Sequence, residues 1–203
     1  MIYLRIERYI GQKRRGREKS MVHKVEKVPT WLNELPCTLE ERKEFQEIIN
    51  FYVLHTPCEG ISARAVLPED YGWKENRKLN NALKKVFVDG EKVLFVDTIP
   101  DLYDSLEKVE LYDFPEQVDI ERACIHNGKG NQFKSLFSHL RNAFAHGRFN
   151  IEMLEDRAIV YVLEDFNKSK KQITARMILK EQTLLKWIEI IVNGPVQNEK
   201  GNA

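Results

Sequence analysis

Apolar residues recur along the chain at two different periods, and the change of period separates predicted helices from predicted strands. The clearest helical stretch is 131–149, NQFKSLFSHLRNAFAHGRF, where Phe133, Leu136, Phe137, Leu140 and Phe144 fall three and four residues apart and form one apolar stripe. Asn131 suits an N-cap and Gly147 suits the residue just past the helix end. Upstream, Thr38 and Glu41 form a capping-box pattern ahead of a helix faced by Phe45, Ile48, Ile49, Tyr52 and Val53, which Thr56-Pro57 stops. Residues 58–73 read as irregular, and 76–85 as a short helix with Leu79 and Leu83 facing inward. Val86-Phe87-Val88, Asp89-Gly90 and residues 93–96 suggest a small hairpin, with a helix as the competing reading.

Thr98 caps a further helix through 112, with Pro100 in its first turn and Leu102, Tyr103, Leu106 and Val109 on one face. Another helix is expected from 116 to 126, leading into Asn127-Gly128-Lys129-Gly130. That glycine pair lacks both the spacing of a phosphate loop and a preceding strand, and reads as a turn. After the long helix, residues 149–153, 158–164 and 172–179 are strand-like and make a small antiparallel sheet. Leu184, Leu185, Trp187, Ile188 and Ile191 then face a closing helix that ends at Gly194-Pro195. The pattern as a whole predicts a mainly α protein: a basic, flexible extension at 1–35, one domain at 36–194 and a disordered tail at 195–203.

With 42% hydrophobic residues, the 203-residue chain can fill a real core. Formal net charge is +1, but residues 1–28 hold nine lysines and arginines against three glutamates, so the basic character is concentrated there. That segment reads as a solvated extension or as sequence upstream of a start at Met21; an RNA-attracting arm is the functional alternative. Cys37, Cys58 and Cys124 are odd in number and far apart, which argues against a disulfide framework or a zinc ribbon and favours the cytoplasm. The opening residues are interrupted by Arg5, Glu7 and Arg8 and form no signal sequence.

Candidate chemistry is concentrated at the end of the 131–149 helix, in Arg141-Asn142-Ala143-Phe144-Ala145-His146. Five steps of ~100° leave Arg141 and His146 roughly 140° apart around an ideal helix, whereas Asn142 and His146 share a side. For Arg141 and His146 to meet at one phosphate, the helix end must distort or a second copy must complete the pair, and a homodimer is the economical solution. His139 stands about 10.5 Å before His146 along the helix, too far for the two to share a metal ion.

LRNAFAHG resembles the signature of the HEPN family, an arginine, usually with a polar residue next to it, then four to six residues in total and a histidine. Arg141, Asn142 and His146 match it, and the resemblance extends over roughly residues 36–193. It implies a four- or five-helix antiparallel bundle, here with a small β-hairpin or sheet inserted after the motif helix, that dimerises so that two motifs line one cleft. In many members that cleft is a metal-independent endoribonuclease of toxin–antitoxin, abortive-infection or other defence systems. Other members are non-catalytic dimerisation or nucleotide/RNA-binding scaffolds, which is the alternative for this chain; an unrelated helical interaction protein is a third. The partners implied are RNA, a second copy and an antitoxin or nucleotidyltransferase. The tyrosine that a nucleotidyltransferase modifies in some members is replaced here by Arg148.

The expected chemistry uses the 2′-hydroxyl of RNA as nucleophile and needs no cofactor or metal. His146, at a helix C-terminus, suits proton transfer to the leaving oxygen. Arg141 offers a planar, permanently charged fork for phosphate oxygens, and Asn142 can orient the histidine or hold RNA. Lys134, His139 and Arg148 are the further candidates for RNA binding.

Overall fold

The computed structural model describes residues 42–58, 64, 66–86, 93–128 and 130–195. The basic extension at 1–35, Thr38 and Glu41, residues 87–92 of the expected hairpin and the tail from 196 fall outside them. Helix α1 (Lys43–Ile49) continues directly into a π-helical segment, Asn50–His55. A 3₁₀ turn (Pro68–Tyr71) interrupts the irregular stretch that follows, and then α2 (Asn76–Lys84) forms as its apolar spacing predicts. Next come β1 (Val93–Val96), α3 (Ile99–Lys108), β2 (Arg122–His126) and α4 (Gln132–Ala145). Strands β3 (Phe149–Met153), β4 (Ile159–Asn167) and β5 (Gln172–Lys180) lead into α5 (Glu181–Asn193).

The five strands make one mixed sheet in the order β1-β2-β5-β4-β3. β1 and β2 are parallel and joined through α3 as a βαβ unit, while the other pairings are antiparallel. α1, the π-helical segment, α2, α4 and α5 cover one face, where Ile48, Tyr52, Phe137 and Trp187 pack on Tyr161, Leu163 and Met177. α3 covers the other face, setting Leu102 and Leu106 against Cys124, Val160 and Val162. No helix among the described residues is long and apolar enough to cross a membrane.

This arrangement corrects the expectation of a mainly α, HEPN-like antiparallel bundle with a small β insertion: the protein is α/β, and the sheet is its central layer. Two local misreadings hid it. Residues 122–126, expected to be helical, form a strand whose Ala123 and Ile125 face one core and Cys124 the other. A short run buried on both faces shows no alternation, so periodicity cannot distinguish it from a piece of buried helix. Residues 93–96 are a strand, as expected, but their described partner is β2, thirty residues on in sequence, in parallel register from Val93↔Ala123 to Val96↔His126.

Candidate functional site

Helix α4 is specified locally at both ends. The Asn131 side chain accepts hydrogen bonds from the Phe133 and Lys134 amides at 2.9 and 3.3 Å. At the other end His146 is the C-cap, and Gly147 takes the left-handed conformation (φ 62°). The Gly147 amide donates to the Phe144 carbonyl and the Arg148 amide to that of Ala143, the paired bonds of a Schellman motif. The predicted stripe is buried in full. Tyr52 stacks on Phe137 and Phe144 with ring centroids 5.8 and 5.5 Å apart, and Phe144 meets Tyr161 of β4 edge-on.

This packing sets the polar side of α4 against the end of β4, where Asp165 is only 5% exposed. Asp165 Oδ2 is 2.6 Å from His139 Nδ1 and accepts a 3.1 Å hydrogen bond from Asn142 Nδ2. The other ring nitrogen of His139 is 2.9 Å from the His126 carbonyl oxygen. Burial pushes the Asp165 carboxyl up, but hydrogen bonds from His139, Asn142 and Thr174 together with the charge of His139 outweigh it and hold the group below its ordinary range. Arg141 Nη1 donates to Asn142 Oδ1 at 3.3 Å, and its buried Nε has no hydrogen-bond partner among the described residues. His146 is exposed at the helix end.

The structure therefore brings Arg141, Asn142 and His139 into one connected group and leaves His146 open to solvent beyond it. Lys134 is half-buried one and a half to two turns before Arg141, and its carbonyl accepts from Ser138 Oγ. Arg148 is elsewhere. After the Gly147 turn it reaches the α3 face of the sheet, donates to Glu164 Oε1 at 3.1 Å and stacks 4.8 Å over the Phe166 ring. Glu164 also pairs with Arg176, which donates onward to the Leu111 and Tyr112 carbonyls.

Sequence reasoning missed Asp165, because the strand was expected to end at Glu164. The available signal was the acidic pair Glu164-Asp165 itself: consecutive strand residues point to opposite faces, so two buried carboxylates in a row require two separate sets of donors. Among the described residues no group of three or more His, Cys, Asp or Glu side chains is arranged to hold a metal ion.

A family model described as HEPN pEK499 p136 matches residues 43–198, a span that includes all of α4 and the sheet. No curated protein and no solved structure matches the chain.

Proposed function

The chain belongs to the HEPN pEK499 p136 family, and on that basis we propose that it is an endoribonuclease that cleaves RNA through the substrate's own 2′-hydroxyl. Membership supports a HEPN-type nuclease or nucleotide-binding role in general, and HEPN domains commonly dimerise. The observation that favours cleavage is how the cations are used. Of the described arginines that are buried or half-buried, Arg42, Arg122, Arg148 and Arg176 each face a carboxylate, whereas Arg141 meets none among the described residues and its Nε is buried there without a hydrogen-bond partner. A guanidinium held this way suits a phosphate oxygen.

In this mechanism the 2′-oxygen attacks the adjacent phosphorus as a base removes its proton. Arg141 stabilises the charge of the phosphorane, and His146 protonates the 5′-oxygen as the P–O5′ bond breaks. The products are a 2′,3′-cyclic phosphate and a 5′-hydroxyl. A two-fold dimer brings a second motif to the same cleft and supplies the base, and Lys134 extends the positive side along the RNA backbone. A toxin or anti-phage effector acting in the cytoplasm, restrained by an antitoxin, is the setting that suits such an activity.

Cleavage of a labelled RNA pool in EDTA tests the proposal. His146→Ala and Arg141→Ala are each expected to lose about two or more orders of magnitude in rate, the scale of lost acid–base or oxyanion-type assistance. Both should remain folded, because neither substitution touches the buried stripe. Cleavage that persists in both folded variants, or that EDTA abolishes in the wild type, sinks the mechanism; RNA binding without cleavage in the wild type supports the scaffold instead.

A further inference from the structure

Beside the proposed catalytic pair, the α4–β4 contact contains a buried charge that the chemistry above does not use. The register between β4 and β5 shifts at that point. Asp165 pairs with Ala175, but Phe166 pairs with Ile173, so Thr174 is the extra residue of a bulge, and its hydroxyl donates to the Asp165 carbonyl at 3.1 Å. Bulges re-aim side chains near functional sites. Here the bulge turns Ile173 of β5 into the α3 core, while β4 alternates without a break, so Asp165 faces α4 on the side of Tyr161 and Leu163 and Phe166 lies in the α3 core with Val160 and Val162.

Hydrogen-bond polarity then dictates the rest. Both His139 ring nitrogens face acceptors, Asp165 and the His126 carbonyl, and only the doubly protonated ring can donate to both. An ionised carboxylate can only accept, so the Asn142 amide must present its NH₂ group to Asp165. Its oxygen is consequently turned outward, where the Arg141 guanidinium donates to it. With the amide reversed, its oxygen would face the carboxylate and Arg141 would face an NH₂ group. A buried ion pair adds little to stability compared with apolar packing of the same volume, so its stability contribution alone gives no reason for a charge at this position.

We propose that Asp165 is a positioning residue for Arg141: its carboxylate, paired with His139, fixes the Asn142 amide so that the amide oxygen holds the guanidinium in its working direction. This rests on the reading of Arg141 as the group that stabilises the phosphorane, and the test separates the two.

The experiment is a double-mutant cycle on the full chain, read as steady-state cleavage of a labelled single-stranded RNA. Asp165→Asn is expected to lower kcat about ten- to a hundredfold with KM changed less than about threefold. In the Arg141→Ala background the same substitution should cost less than about twofold, because the group it positions is gone. An equal loss in both backgrounds overturns the proposal, since a purely structural role multiplies through regardless of Arg141. If circular dichroism finds Asp165→Asn unfolded, His139→Gln takes its place in the cycle under the same criterion. An activity-independent arm follows the Arg141 Nε–H and Asn142 side-chain amide signals of ¹⁵N-labelled protein. Asp165→Asn (or its replacement) should shift both, and unmoved signals overturn the positioning role whatever the enzyme does. Failure of the functional reading shows differently: Arg141→Ala then keeps full cleavage, or the wild type has none, while the spectra still decide the role of Asp165.

Discussion

Glu164 and Asp165 are consecutive on β4, both almost wholly buried, and they face opposite sides of the sheet. On the α3 face Glu164 binds two arginines, Arg176 at 3.0 Å and Arg148 at 3.1 Å, and Arg176 is itself 1% exposed. On the α4 face Asp165 is held by a histidine and an amide, and the nearby arginine is tied to the amide instead of to the carboxylate. Their proton affinities diverge accordingly. Burial pushes the Glu164 carboxyl up and its arginines only partly offset this, whereas the hydrogen bonds to Asp165 prevail over its burial and hold it down. The α3-face arginines are occupied in joining β3, β4, β5 and the loop after α3. Arg141 is tied to the Asn142 amide and pairs with no carboxylate among the described residues, the difference on which its proposed role toward phosphate rests.

Removing one side of each arrangement tests this contrast. Glu164→Ala strands Arg176 in the interior and is expected to cost about 3–5 kcal/mol, the scale for breaking a buried ion pair from one side. Urea unfolding measures it, and a loss below about 1 kcal/mol would mean that the α3-face network is not structural.

The two arginines should also exchange phenotypes. Arg141→Ala is expected to lose about two orders of magnitude in RNA cleavage with little change in unfolding midpoint. Arg148→Ala is expected to lose about 1–3 kcal/mol of stability, from its charged hydrogen bond and its stack on Phe166, while the folded fraction cleaves normally. Parallel cleavage and unfolding curves decide, and equal cleavage losses would place both arginines at the RNA.

The smallest effect is a difference in pH slope. Because the folded state lowers the Asp165 pKa, Asp165 adds stability that is present above its unfolded value and disappears as pH falls below about 4. Glu164 has the opposite sign: its folded pKa is raised, so its contribution is fully present below the unfolded value and fades as pH rises through the higher folded one. Relative to wild type, Asp165→Asn should therefore lose stability less steeply on acidification, and Glu164→Gln more steeply. Urea titrations at several pH values read both slopes, and a common direction would erase the distinction between the faces.

Much of this was legible in local sequence. Asn131, the 133–144 stripe and Gly147 defined α4, since caps and helical periodicity act within a few residues. Thr98 did the same for α3, accepting from the Asp101 amide at 3.3 Å, and strand-like runs separated by polar turns marked β3, β4 and β5. The arginine, asparagine and histidine of the motif were legible as well, because their spacing is a property of one helix.

What local sequence could not determine was which strands become neighbours. β2 binds Ala175 and Arg176, about fifty residues on, and β1 binds β2 across the whole of α3. Such pairings depend on which apolar faces find each other during collapse, and a five-residue strand with four of its residues buried carries no period to announce it. The same holds for the charges. Which arginine meets a carboxylate depends on the partners that Glu164 and Asp165 find on the two sides of β4, and that is decided by the packing of α4 and α3 on the sheet and by the path of the chain after α4, which the spacing of the arginines alone does not reveal.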